Sequence, residues 1–130
     1  MTSVEFGTVA VYEAMADLLN NDPAWAEKGK SIDYSMIFDY GPPVAKTFFL
    51  RFADGKVFDV KELGSADAEK ADFTLSAAPD VWRGIFDQTI NPTNALVKGQ
   101  IKVKGKIAAL LRHMTAFSYI IEAMTKIELR

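Results

Sequence analysis

The last third of the chain, residues 91–127, constrains the fold more than any other stretch. Asn91 and Pro92 are typical of a helix start, where Asn caps the helix and Pro takes the first helical position. Gly99 can end this short helix because glycine adopts a positive φ without a steric penalty. Apolar residues and lysines then alternate, which predicts a strand that ends at Gly105. A single long helix is predicted to follow, to the end of this stretch.

The predicted long helix carries more apolar side chains in its second half than one buried side requires. Its first half has an ordinary apolar stripe at helical spacing, formed by Ile107, Leu110, Leu111 and Met114. After Ala116 the stripe widens, because further apolar residues join it: Phe117, Ile120, Ile121, Met124 and Ile127. A stripe about 100° wide is enough to bury a surface helix. We therefore expect a bound apolar ligand, a partner chain or a second helix to cover the surplus.

The first two thirds of the chain read as helices followed by strands. An amphipathic helix is predicted after Thr8, a short helix from Pro23, and strands over residues 32–40, 46–52, 57–62 and 72–77. Asp54-Gly55 predicts a tight hairpin turn between the second and third strands. Phe58 and Val60 are expected to face inward from the third strand, and Phe73 and Leu75 from the fourth. A helix from Pro79 precedes the Asn91 segment, so the order predicts an α/β arrangement of one sheet packed with helices.

Composition excludes several classes of protein. The chain has 130 residues, about half of them apolar, which suits a single domain spanning residues 1–130. A net charge of −2 and a pI near 5.4 give no electrostatic reason to expect nucleic acid binding. The absence of cysteine and the single histidine exclude disulfides, thiolate chemistry and multi-histidine zinc sites. With neither a signal peptide nor a membrane-spanning run in the sequence, we expect a cytoplasmic protein.

The polar residues do not form a convincing catalytic group. Four aspartates are expected on the sheet face opposite the aromatic residues, exposed to solvent: Asp33, Asp39, Asp59 and Asp72. His113 falls at the edge of the long helix, without a nucleophile motif nearby. An isomerase would need a desolvated carboxylate beside a hydrogen-bond donor, and Asp39 with Tyr34 or Tyr40 is the nearest candidate. We predict no catalytic residues, no metal site and no cofactor.

A local basic cluster stands out on this acidic chain, formed by Lys98, Lys102, Lys104 and Lys106. These lysines could attract anionic lipid headgroups or hold a phosphate. The interpretation that we favour is an edge strand that its lysines protect from pairing with another chain.

Several segments together resemble the sterol carrier protein 2 (sterol-binding) domain family over roughly residues 10–127. The matching residues are Ala71-Asp72-Phe73-Thr74-Leu75, Asn91-Pro92, Ala95, Gly99, Ile101, Lys102, Gly105 and, earlier, Phe52-Ala53-Asp54-Gly55-Lys56. The resemblance implies an α+β fold with a five-stranded, mostly antiparallel sheet and helices packed on one face. It also implies a hydrophobic tunnel for sterols, fatty acids or fatty acyl-CoA, in a carrier rather than a catalyst.

We therefore interpret the chain as a non-catalytic lipid carrier with a cavity between the sheet and the C-terminal helix. The expected ligand-binding residues are Trp82, Phe86, Met114, Phe117, Ile121 and Met124, although periodicity alone cannot separate cavity lining from core. The alternative is an accessory module of a larger enzyme system, with the apolar surplus buried in a homodimer or complex. Transient contact with a membrane also remains open.

Overall fold

A mixed five-stranded sheet is the framework of the chain, whose computed structural model describes residues 4–65 and 69–129. The strands are β1 (Asp33–Tyr40), β2 (Thr47–Ala53), β3 (Lys56–Leu63), β4 (Phe73–Ala77) and β5 (Lys102–Gly105). Their order in the sheet is β3-β2-β1-β4-β5. Strands β1 and β4 run parallel, while the other neighbouring pairs are antiparallel. The predicted α+β class with a mostly antiparallel sheet is confirmed.

The helices pack on the sheet face that carries the side chains of Met36, Phe38 and Tyr40 of β1. They are α1 (Val9–Asn20), α2 (Pro23–Lys28), α3 (Pro79–Phe86), α4 (Pro92–Val97), α5 (Ile107–Arg112) and α6 (Met114–Ala123), followed by a 3-10 turn, Met124–Lys126. Met36, Phe38 and Tyr40 of β1 are buried in one core together with apolar residues of α1, α3 and α6. On the opposite face, the ammonium group of Lys61 lies 4.9 Å from the ring centre of Phe49.

The predicted helix cap, helix end and hairpin turn all occur in the structure. The side chain of Asn91 accepts a hydrogen bond of 3.0 Å from the backbone N–H of Asn94, which caps α4. Gly99 follows the end of α4 with a φ of +77°. Asp54 and Gly55 both have positive φ, +54° and +70°, as a type I′ hairpin turn requires.

The prediction that Phe58 faces inward is wrong. Its side chain is 49% exposed, whereas its neighbour Val57 is buried. The pairing of β2 with β3 shifts register between Phe49 and Arg51, and Asp59 adopts a positive φ of +57°. This bulge inserts one extra residue into β3, so the alternation of inward and outward side chains changes phase along the strand.

The prediction of one long C-terminal helix is also wrong, because the helix breaks at His113. Its φ of −112° and ψ of 28° separate α5 from α6. Neither proline nor glycine occurs there, so we attribute the break to packing rather than to a helix-breaking residue. The Phe117 ring packs 4.9 Å from that of Phe73 on β4 and thereby helps to set the direction of α6. The shorter α5 instead follows directly from β5.

Three glycines should differ in their tolerance of alanine. At Gly105, where φ is +136°, an added Cβ would clash with the carbonyl oxygen of Asp72. We expect Gly105→Ala to lower the free energy of unfolding by roughly 2–4 kcal/mol, measured by urea denaturation. Gly99→Ala, with positive φ but open space, should cost about 1 kcal/mol. Gly64→Ala, whose Cβ would meet no atom of the described residues within 4 Å, should change stability by less than about 0.5 kcal/mol. Equal effects at the three positions would contradict this account.

Candidate functional site

An apolar groove lies where α4, β5 and α5 meet at one edge of the sheet. Its volume is about 590 Å³, within the roughly 300–1,000 Å³ range of small-molecule sites. Its walls are mostly aliphatic and include Leu96, Ile101, Val103, Leu110, Leu111 and Met114. Such a groove offers burial to an apolar ligand, while its walls contain few polar groups that could carry out chemistry.

The groove exists because the elements around it are short. Helices α4 and α5 have six residues each, and β5 has four. Ile101 turns inward and is buried, but Val97 and Leu111 remain 79% and 65% exposed. Two helices of this length cannot close over the edge strand, so the apolar side chains between them stay accessible.

One of the predicted ligand-binding residues, Met114, lines this groove at the start of α6. Phe117, Ile121 and Met124 follow Met114 along one side of α6 and the 3-10 turn, and all three are buried in the core. Whether a ligand reaches these three residues stays a prediction.

Trp82 and Phe86 of α3 are buried as well. The indole N–H of Trp82 donates a 3.1 Å hydrogen bond to the backbone oxygen of Asp39, and its ring stacks on Tyr40 at 5.4 Å. Phe86 packs edge-to-face with Phe6 at 5.9 Å. Their assignment to a ligand site also stays a prediction.

Sequence reasoning missed most of the groove wall. Leu96, Ile101, Val103, Leu110 and Leu111 were assigned to elements but not to a site. A signal was present, because Ile101 and Val103 alternate with lysines on a strand flanked by only short helical segments. An edge strand with apolar side chains and little helix to cover it is a candidate binding surface.

Four lysines lie on β5 or beside it in sequence. Lys102 contributes to the groove wall, and Lys98 and Lys104 are exposed nearby in sequence. Lys106 lies 3.6 Å from the carboxylate of Asp72. Because β5 is the outermost strand of the sheet, the structure agrees with the favoured interpretation of a lysine-protected edge.

The four aspartates do not share one environment. Asp33 and Asp59 are exposed, as expected, and lie beside Arg51 and Lys61 respectively. Asp39 and Asp72 are only partly exposed, so the expectation of a fully solvated face is wrong for them. The reason lies in their hydrogen bonds, which come from hydroxyl groups of neighbouring strands: Thr47 and Ser76 for Asp39 at 3.3 and 3.2 Å, and Ser35 for Asp72 at 3.3 Å.

The candidate isomerase pair does not form. The hydroxyl of Tyr40 hydrogen-bonds to that of Tyr12 at 2.8 Å, inside the core and away from the Asp39 carboxylate. Burial raises the pKa of both tyrosines above the ordinary value, which keeps them neutral. The ring of His113 lies 6.1 Å from that of Tyr34. Within residues 4–65 and 69–129, His, Asp and Glu side chains form no cluster suited to a metal ion.

Comparison with known proteins agrees with the family resemblance of the sequence. A model of the SCP-2 sterol transfer family matches residues 17–118. A crystal structure of sterol carrier protein 2 has a TM-score of 0.84 at 22% identity, covering 95% of this chain and 99% of that one. No curated protein sequence matches significantly.

Two further solved structures share the fold. A conserved hypothetical protein from Thermus thermophilus, described as a possible sterol carrier protein, has a TM-score of 0.82 at 22% identity. The match covers 100% of this chain and 94% of that one. The UbiJ-SCP2 ubiquinone synthesis protein has a TM-score of 0.58 at 18% identity, covering 90% of this chain and 89% of that one.

No helix in the part of the chain that the structure describes has both the length and the apolar character needed to cross a bilayer.

The Tyr12–Tyr40 pair predicts a loss of stability at alkaline pH. Both pKa values are raised in the folded state, so this contribution is fully present below the unfolded pKa of about 10 and is lost as pH rises above it. Each tyrosine should contribute a slope of up to about 1.4 kcal/mol per pH unit. Urea denaturation at pH values from neutral to above 10 would measure it.

The double variant Tyr12→Phe/Tyr40→Phe should flatten this alkaline decline, since it removes both ionisable groups without leaving one hydroxyl unpaired. The matched control Tyr34→Phe should keep the decline. An equally steep decline in the double variant would show that other groups cause it.

Proposed function

The chain belongs to the SCP-2 sterol transfer family, and we propose that it binds a hydrophobic ligand in the groove between α4, β5 and α5. The family is one of lipid binding and transfer. The observation that carries the proposal is an open groove with an almost wholly aliphatic wall, next to lysines. The ligand is held and released without breaking a bond. We assign this function to residues 1–130 acting as one domain.

The ligand class that fits best is a fatty acid or a fatty acyl-CoA. Its chain would lie against Leu96, Ile101 and Leu110, and its carboxylate or phosphates would lie near Lys102 and Lys98. A sixteen-carbon chain gains about 12 kcal/mol if fully buried, at ~0.8 kcal/mol per CH₂. Association and ordering costs of several kcal/mol then leave roughly micromolar to nanomolar affinity. That range permits both uptake and release.

The predicted deeper residues give the ligand a route inward. Met114 stands in the groove, and Phe117, Ile121 and Met124 continue from it along the same side of α6. Helix α3, which carries Trp82 and Phe86, packs against the 3-10 turn that contains Met124. We propose that a long chain entering at Met114 displaces these side chains and extends toward α3. The unbranched methionines at both ends can repack around such a ligand.

An accessory role in a larger enzyme system is the second candidate. The exposed Val97 and Leu111 support it, as does the fold shared with a ubiquinone synthesis protein. Sedimentation at low concentration separates a homodimer from a monomer, because a monomeric carrier needs no copy of itself to cover these residues.

Filling the groove should weaken ligand binding. Leu110→Trp and Met114→Trp place an indole where the ligand chain would lie, and each should reduce affinity for a fluorescent fatty acid roughly tenfold or more. Affinity is read from the change in fluorescence on titration, and native mass spectrometry reports any lipid that co-purifies. Phe58→Trp is the matched control, since Phe58 is an exposed apolar residue on β3. Equal affinity in all three variants and the unmodified protein would reject the groove as the site.

A photoreactive fatty acid tests the inward route. Crosslinks confined to residues 93–114 would place the ligand in the groove alone, whereas crosslinks to Phe117, Ile121 or Met124 would support the extended route. If no fatty acid binds at micromolar concentration and no lipid co-purifies, the carrier proposal fails.

A further inference from the structure

A row of polar side chains crosses the sheet on the face opposite the helices. Asp39 on β1 pairs with Thr47 on β2 and with Ser76 on β4. Ser76 pairs in turn with Lys102 on β5. Residues that pair directly across neighbouring strands point to the same face of a sheet. Since the residues of β1 on either side of Asp39 face the helical core, this row lies on the other face.

A second cavity, of about 370 Å³, opens along this row where the two parallel strands of the sheet end. Besides Asp39, Ser76 and Lys102, its lining includes Gly41, Ala77, Ala78 and Gln100. Strand β1 is followed by the turn into β2, whereas β4 is followed by α3. The chain thus leaves the two strand ends in different directions. In open α/β sheets, a crevice formed in this way at the carboxyl ends of parallel strands is the usual place for a ligand.

The Asp39 carboxylate at the floor of this cavity is held in one position by its neighbours. The hydroxyls of Thr47 and Ser76 donate hydrogen bonds of 3.3 and 3.2 Å to its two oxygens. Its backbone oxygen accepts a 3.1 Å bond from the indole N–H of Trp82. A carboxylate has about four lone-pair positions, and among the described residues these two hydroxyls are its donors. The carboxylate can therefore accept further hydrogen bonds from a ligand.

The charges of Asp39 and Lys102 do not neutralise each other by contact. Strand β4 lies between their strands, which places their backbones about 10 Å apart. Within residues 4–65 and 69–129, no ion pair closer than 4 Å involves either side chain. The cavity therefore has a negative group on one side and a positive group on the other. A ligand with a single charge would meet a like charge on one of these two sides.

We propose that this cavity binds a small zwitterion, with an ammonium group and a carboxylate or phosphate group a few ångströms apart. The ammonium group lies against the Asp39 carboxylate and the oxygen of the Ser76 hydroxyl, whose proton is directed at Asp39. The anionic group lies against Lys102, beside the exposed amide of Gln100. Free amino acids and phosphoethanolamine share this chemistry. The site faces away from the helices, and it does not rest on the proposed carrier function.

The size and polarity of the cavity favour such a ligand over a lipid chain. Its volume is at the lower end of the range of roughly 300–1,000 Å³ for small-molecule sites. Its floor consists of a carboxylate and a hydroxyl, whereas the groove at α4 and α5 has mostly aliphatic walls. A hydrocarbon chain placed on this floor would remove water from the carboxylate without giving it a hydrogen bond, which is unfavourable.

Calorimetric titration of the full chain with a series of small probes tests the proposal. The zwitterions are glycine, β-alanine, 4-aminobutyrate and phosphoethanolamine, which differ in the distance between their charges and in the anionic group. Acetate, methylamine and glycerol are the analogues that lack one or both charges. We expect at least one zwitterion to bind about tenfold more tightly than every analogue, because charge-assisted hydrogen bonds form at both of its ends. The preference for amino acids or for phosphoethanolamine identifies the source of the ligand.

Two substitutions remove one charge of the site each. Asp39→Asn keeps the size of the side chain, and Lys102→Gln changes an exposed position that can be tested even if the first variant is unstable. Each should lower the affinity for the bound zwitterion roughly tenfold, since a hydrogen bond to a charged group is lost. Lys104→Gln is the matched control, because Lys104 lies two residues further along β5 on the same face and does not line the cavity. It should change the affinity by less than about twofold. Circular dichroism verifies that the variants are folded.

The outcomes decide between a zwitterion site and a solvated polar surface. Weaker binding in Asp39→Asn and Lys102→Gln, with Lys104→Gln unaffected, supports the site. The proposal is overturned if no zwitterion binds up to about 10 mM, if acetate, methylamine or glycerol binds as tightly, or if Lys104→Gln causes an equal loss. Asp39→Asn should bind the fluorescent fatty acid as the unmodified protein does, since Asp39 does not line the groove. Zwitterion binding without fatty acid binding would reject the carrier function and leave this site standing.

Discussion

The structure depends on the burial of one face of β1, which is the central strand of the sheet. Met36, Phe38 and Tyr40 are almost completely inaccessible there, because α1, α3 and α6 cover them. Helix α1 has 12 residues and spans about 18 Å, whereas α4, with six, spans about 9 Å. The central strands are therefore closed off from water, and the β5 edge is not. This inequality of cover leaves the apolar groove at the β5 edge accessible.

The open edge combines apolar side chains with lysines. Apolar side chains of β5 and α5 face the groove, Lys102 contributes to its wall, and Lys106 lies 3.6 Å from the carboxylate of Asp72. The polar groups of the sheet, by comparison, satisfy one another, as Asp39 does with Thr47 and Ser76. The edge therefore offers an accessible apolar surface beside a strand that carries lysines.

Local rules predicted the elements of this fold well. The Asn91 cap and the Asp54-Gly55 turn both depend on interactions between residues close in sequence, and both occur as expected. Two of the errors arose where distant residues intervene. The bulge at Asp59 depends on how β3 pairs with β2, and the break at His113 depends on how α6 packs over β4. Neither position contains a residue that would signal the change in the sequence alone.

The sequence by itself determined the fold class, the family resemblance and the position of the local basic cluster, because periodicity, turn chemistry and charge can be read residue by residue. It also directed attention to the C-terminal apolar surplus. Of the predicted ligand-binding residues, Met114 alone lines the groove. Only the tertiary structure decided which apolar residues are packed and which are accessible. That distinction depends on the lengths and directions in which α4, α5 and α6 meet the sheet, and these follow from packing across the whole core rather than from any local pattern.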